Sequence, residues 1–244
     1  MPFENADDEP KTIRSIERAV DVLSCFGRET PLLSVTDLQK RLGLSRPTLY
    51  RILATLEGKG LIRSHGEPQR FELGSGATRL AGNWIGQDDF VRAARPILGR
   101  LWEETDETVA LFVPGTDGDK ICLEELPSRQ ALTFNRGIGF TEKLDVGASG
   151  RSMLAFMPDA PSDPRLDEVR QTGVCVSEGE IIKGAVSVAA PVFGADGTVA
   201  GGVCLFGPEV RLTEENRKRY IDCVRQAAAD ISRALGYRSA AAAE

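Results

Sequence analysis

Arg46, Thr48, Tyr50, Arg51 and Thr55 gather guanidinium, hydroxyl and phenol groups within ten residues. This is a donor set suited to base edges and phosphate oxygens of double-stranded DNA. Their spacing puts them on one surface. Leu49, Ile52, Leu53 and Leu56 recur at i, i+3, i+4 and i+7, so a helix over 44–60 buries one apolar stripe and turns the polar groups outward. Ser45 is expected as the N-cap, its hydroxyl accepting from the first amides. Pro47 follows in the first turn, where a missing N–H costs nothing, and belongs to the same outward surface; Gly58 and Gly60 close the helix. Taken alone, the pattern is equally that of an ordinary amphipathic helix.

The neighbouring elements decide between the two. A first helix is expected over 13–26, with Ile16, Val20 and Leu23 on its buried face, Ala19 and Phe26 beside them, and Gly27 ending it. Ser34 caps a short second helix with Val35, Leu38 and Leu42 as its stripe, and Gly43 supplies the tight turn into the third. After Gly60, strands over 61–64 and 70–73 flank a turn at 65–69, with Phe71 and Leu73 alternating. Three helices and a hairpin make a winged helix-turn-helix. On its wing, Arg63, His65, Gln69 and Arg70 are placed to meet phosphate or a minor groove.

Charge supports this division. The chain of 244 residues carries a net charge of -6, but residues 11–73 hold 11 Lys and Arg against 7 Asp and Glu, whereas 74–244 hold 19 against 25. A basic module on an acidic body suits a DNA reader with a second domain. The expected domains are a tail over 1–10, the winged helix over 11–74, a connecting helix over 75–88, and a second domain over 89–240. In the connector, Leu80, Trp84 and Ile85 share one side; Trp84 packs against a second subunit or its own domain.

The second domain alternates element types. A helical pattern over 90–104 precedes strands over 108–114, 120–126 and 131–135, then a helix over 149–157 opening from the small-residue loop 146–150. A helix over 166–171, strands over 184–193 and 198–206, and a long helix over 213–235 complete it. That order implies a mixed antiparallel sheet flanked by helices, an α+β arrangement.

Several function classes are disfavoured. Five cysteines without a close pair and a single histidine, His65, argue against a zinc site, and Ser-His or Cys-His catalysis would have to route through His65, which stands in a turn-like segment. No catalytic residue, metal or cofactor is expected. An acidic, polar N-terminus and the lack of an apolar run of about 18 residues point to the cytoplasm, with no membrane partner. An enzyme bearing a winged-helix appendage, or a winged helix that binds protein, are the competing readings.

The chain resembles the IclR family of bacterial transcriptional regulators. The resemblance rests on Ser15-Ile16-Glu17-Arg18-Ala19, Gly43-Leu44, the run 50–56, Gly60-Leu61-Ile62, Phe71-x-Leu73-Gly74, Ala189-Ala190-Pro191-Val192-Phe193 with Gly197, and Gly207-Pro208. It implies an N-terminal winged helix, a linker helix and a C-terminal GAF/PAS-like α/β effector-binding domain. It further implies a homodimer or homotetramer on pseudo-palindromic operator DNA, acting as a repressor answering to a small organic acid. Carried over by position, it implicates Val146, Gly147, Ala148 and Ser149, Ser177 in the following loop, and Ser187, Cys204 and Phe206 on strands. The first four also have a physical reason, since amides at a helix start with small side chains hold a carboxylate. The chain departs from many members in Asp145 for histidine, in Gly150-Arg151 for Gly-Lys, and in a short 157–174 segment. Phe206 stands where glyoxylate-type sensors often have serine, which suggests a larger or aromatic acid, or a smaller cavity.

Overall fold

The structure, a computed structural model, describes residues 12–27, 30–87 and 89–238, apart from the side chains of 83–87. The expected tail over 1–10 and the packing of Trp84 and Ile85 lie outside the described residues. The chain divides into two compact units, residues 1–84 and 85–244.

The first unit runs α1 (Arg14–Ser24), β1 (Leu33–Ser34), α2 (Val35–Leu42), α3 (Arg46–Gly58), β2 (Ile62–His65), β3 (Arg70–Leu73) and the start of α4 (Ser75–Gln87). Its core joins Val22, Phe26, Leu38, Leu49, Leu53, Leu56, Ile62 and Phe71. Ser34 caps α2 through a reciprocal capping box with Asp37, and Gly43 ends it in the left-handed conformation at φ 64°. β1 pairs with β3, giving a three-stranded sheet where the sequence suggested a hairpin alone. Gly74 and Gly76 fit the foot of the wing because side chains there would meet Gly60 O at 2.4 and 2.7 Å.

Two apolar assignments are corrected. Ile16 and Val20 are 58% and 54% exposed, while Val22 and Phe26 fill the core and Leu23 packs against it. α1 carries two apolar stripes, and helical periodicity does not say which one the neighbours cover. Leu73, expected to alternate into the core with Phe71, is 44% exposed.

The second unit runs from α5 (Asp89–Thr105) through β4 (Thr108–Pro114), β5 (Asp119–Leu126), β6 (Thr141–Lys143), α6 (Gly147–Leu154), α7 (Pro164–Thr172), β7 (Cys175–Glu178), β8 (Ala185–Phe193) and β9 (Val199–Pro208) to α8 (Glu214–Ala234). The six strands lie in the order β6-β5-β4-β9-β8-β7. Every neighbouring pair is antiparallel, so the sheet is not mixed. Alternation sorts its side chains. Val109, Leu111, Val188 and Leu205 meet α5 and α8, whereas Ala110, Phe112, Cys204 and Phe206 meet α6 and α7.

Residues 131–135 do not form the expected strand. Side chains hold this segment instead: Thr133 Oγ1 lies 3.1 Å from Thr108 Oγ1, and Arg211 donates to Leu132 O at 2.9 Å. The small residues 147–150 are the first turn of α6, not a loop before it, and Ser177 stands on β7, not in a loop.

Candidate nucleic-acid interface and ligand cleft

α3 is held by Leu49, Leu53 and Leu56 in the first core, which fixes the direction of its opposite face. Arg46, Pro47, Tyr50, Arg51 and Thr55 are exposed there and Thr48 is half-buried. Ser45 precedes the helix without capping it, because its hydroxyl lies 2.9 Å from Thr48 Oγ1. Arg46 Nη2 donates to Thr36 Oγ1 on α2 at 3.2 Å, and Thr55 Oγ1 donates back to Arg51 O at 2.8 Å. Among the described residues, the Arg51 guanidinium and Tyr50 hydroxyl have no partner.

The wing presents Arg63, His65, Gln69 and Arg70 to solvent. Arg63 is already ion-paired with Glu72 across the hairpin, and His65 Nε2 lies 3.8 Å from the same carboxylate. At the wing's root, Glu57 Oε1 accepts from Ser64 N at 2.9 Å and from Ser64 Oγ at 2.6 Å, tying α3 to β2. Sequence reasoning missed both acidic partners. The Glu72 pairing was readable, since a hairpin turn over 65–69 sets Arg63 opposite Glu72.

On the α6 side of the sheet of the second unit, a cleft encloses about 480 Å³ of empty space, its open mouth included. Of the eight residues expected together, Ala148, Ser149, Ser177, Ser187, Cys204 and Phe206 line it. Val146 and Gly147 do not line it. The Val146 carbonyl accepts from Lys120 Nζ, and the Gly147 N–H donates to Glu180 Oε2 at 3.1 Å. The amide expected to receive a ligand carboxylate is therefore taken by the chain's own. Gly147 has φ 73°, a left-handed conformation that favours glycine, and it lies close against Ile181 of the Glu180 loop.

Lys120, Arg136 and Glu180 are the charged residues of the wall, and none was anticipated. Arg151 meets Glu180 through two bonds of 2.6 Å, a bidentate pair that holds the Glu180 carboxyl below its ordinary range and raises the guanidinium. Lys120 donates to Lys143 O at 3.0 Å and Val146 O at 2.7 Å, and burial pushes it down to about 8 against the pull of Glu142. Arg136 lies over the Phe140 ring at 4.6 Å, lowered by burial. Cys204 is pushed up to about 12 by burial, leaving it a small apolar wall residue rather than a nucleophile. Phe112, Phe140, Phe206, Ile181 and Ile182 complete the apolar surface. Cations set in apolar walls suit an anion with an apolar body.

Two family models match: the IclR helix-turn-helix domain over residues 15–66, and the bacterial transcriptional regulator IclR C-terminal domain over residues 162–233. The HTH-type transcriptional regulator KdgR of Dickeya chrysanthemi is 26% identical, over 97% of this chain and 85% of that protein. The crystal structure of an IclR transcriptional regulator from Alicyclobacillus acidocaldarius superposes with a TM-score of 0.82 at 23% identity, over 92% of this chain and all of the other. The C-terminal domain of a transcriptional regulator from Vibrio cholerae is 30% identical, over 57% of this chain and 94% of that one, with a TM-score of 0.53.

Proposed function

The chain belongs to the IclR family of bacterial transcriptional regulators, which are not enzymes, and from that premise we propose a repressor whose grip on operator DNA is set by an organic acid in the cleft. The winged unit would read DNA through the outward face of α3, with the wing on adjacent phosphates. One such helix spans only a few base pairs, so specificity requires a second copy at fixed spacing on a pseudo-palindromic site, in a homodimer or homotetramer. Ligand occupancy would alter operator affinity by a coupling on the order of 1 to 3 kcal/mol.

The observation that carries the ligand half is Lys120. Its ammonium is buried in the cleft wall and has no carboxylate ion-paired to it among the described residues. A buried charge that only the more distant pull of Glu142 offsets is costly, and an anionic ligand lowers that cost.

The test joins two measurements on the full-length protein. Binding to the DNA upstream of its own gene is followed by fluorescence anisotropy at low salt, and melting is followed with benzoate, phenylacetate and pyruvate. A bound acid at 100 times its dissociation constant adds about 2.7 kcal/mol of stability and should shift the anisotropy curve. No DNA binding at low salt, where phosphate contacts are strongest, overturns the regulatory reading. Melting unmoved by every acid overturns the ligand reading.

A further inference from the structure

We propose that the acidic segment over residues 1–10 docks on the outward face of α3 and the wing of its own winged unit, and competes there with DNA. The proposal rests on that face being the DNA reader. Glu4, Asp7, Asp8 and Glu9 set four carboxylates within six residues, with no Lys or Arg before Lys11. Residues 11–73 hold 11 Lys and Arg against 7 Asp and Glu, an excess of four. The segment's side chains thus match that excess in number and oppose it in sign.

The folded unit leaves positive charge open on one face. Arg46, Arg51, Arg63 and Arg70 are exposed on α3 and the wing. Three of the unit's carboxylates already have local donors: Asp37 accepts from Ser34 in the capping box, Glu57 from Ser64, and Glu72 from Arg63. None of the three answers Arg51, which has no partner among the described residues. An exposed cation of this kind is free to meet whichever anion is nearest, and a tethered one has the advantage of proximity.

Reach permits the contact. The four acids stand three to eight residues before Thr12, where the described chain begins. At about 3.3 to 3.6 Å per residue they can lie up to about 10 to 29 Å from it. A compact unit of this length has a radius of gyration of about 11 Å, or a diameter of about 27 Å. A short tether holds such a segment at an effective concentration in the millimolar range. Four carboxylates are nonetheless a weak rival to a duplex with one charge per about 1.7 Å of axis, so the segment lowers affinity without closing the face. Because it must leave before any duplex binds, random and operator sequences lose affinity by the same factor, and the weakest sites fall vacant first.

The experiment compares the full-length protein with a variant of equal length carrying Glu4→Gln, Asp7→Asn, Asp8→Asn and Glu9→Gln. Without DNA, both are treated with phenylglyoxal, which modifies arginine, and mapped by mass spectrometry. Arg51 and Arg70 should react about two- to fivefold faster in the variant, while Arg100 and Arg165 of the second unit react alike in both. With a random duplex and with the DNA upstream of its own gene, anisotropy at about 50 mM salt should show the variant binding about three- to tenfold tighter to each. The gap should narrow towards about 200 mM, as salt screens the segment from the face. Equal arginine rates in the two proteins overturn the docking, even where affinity rises, since the acids then act by distant repulsion. Faster reaction at all four arginines also overturns it. Faster reaction confined to Arg51 and Arg70, with neither protein binding DNA at low salt, leaves the docked segment standing and removes the DNA reading.

Discussion

Arg51 on α3 and Arg151 on α6 carry the same guanidinium into opposite surroundings. Arg51 is exposed, with no partner among the described residues. Arg151 is 4% exposed and bound at both ends of its fork to Glu180. An exposed, unpartnered donor keeps its hydrogen-bonding capacity for another molecule and contributes little to folding. A buried, paired one has spent that capacity inside the fold, where its loss leaves a carboxylate unanswered. The outward face of α3 thus keeps its donors for another molecule, whereas much of the cleft wall has internal partners; Lys120 has two carbonyl acceptors but no ion-paired carboxylate among the described residues.

The largest expected effect breaks the exposed side of this contrast. Replacing both Arg46 and Arg51 by Ala should cost about 2 to 6 kcal/mol of operator affinity, at about 1 to 3 kcal/mol for each lost base contact. The melting temperature should stay within a degree or so, because neither side chain is packed. Anisotropy titration and thermal unfolding on the same samples check both halves. Unchanged DNA binding would favour a winged helix that docks on protein.

Lys120 gives the next effect, and its sign is fixed by linkage. In the folded chain it titrates at about 8, below the ordinary lysine value of 10.5, so between those pH values the unfolded chain binds more protons than the native one. Its burial cost is fully present below pH 8 and is relieved as pH rises through that window. The stability of the wild type relative to Lys120→Met should therefore improve by about 3 kcal/mol from pH 7.5 to 10.5. Urea unfolding of the two proteins along a pH series measures it. A flat difference would mean that Lys120 is not buried as a cation. Affinity for a simple carboxylate should fall over the same rise, as the ammonium is lost.

Arg151→Met tests the paired side. It should destabilise the protein by about 1 to 3 kcal/mol, less than for a fully buried pair because the Glu180 side chain is 37% exposed. DNA affinity without ligand should change far less than in the α3 variants. Adding Glu180→Gln to the same protein should recover part of the lost stability by removing the stranded charge, and failure to recover any would assign the loss to packing.

The same contrast explains what could be read from the sequence. α3, Gly43 and the hairpin were legible because each signal lies within one turn of helix or one pair of strands. The stripe Leu49, Leu53 and Leu56 is buried as its spacing requires, whereas Ile16 and Val20 misled, since a stripe on α1 says nothing about what covers it. The cleft draws on β4, β5, α6, β7, β8, β9 and the loops between them, so no local spacing unites Lys120, Arg136 and Glu180. One signal was available. Lys120 stands in phase with Cys122 on a strand, and a lysine on the apolar face of a buried strand marks a charge with a purpose. The two family matches, over 15–66 and 162–233, leave out Lys120, Arg136 and α6.

The smallest effect lies on the wing, where an exposed residue is internally paired. Arg63 is 73% exposed by side chain, yet its guanidinium is bound to Glu72, which also faces His65. An exposed pair of this kind is worth about 0.2 to 1 kcal/mol, little enough for a phosphate to compete with it. Glu72→Gln removes the competing charge and the repulsion between carboxylate and DNA. Operator affinity should rise about two- to fivefold, equivalent to about 0.4 to 1 kcal/mol. The slope of log affinity against log salt should steepen by about one as Arg63 engages a phosphate. Arg63→Ala should leave that slope almost unchanged in the wild-type background but reverse the gain when combined with Glu72→Gln. An anisotropy series over salt for these variants and the wild type decides it: if Glu72→Gln leaves the slope where it was, the wing does not lie against the DNA backbone.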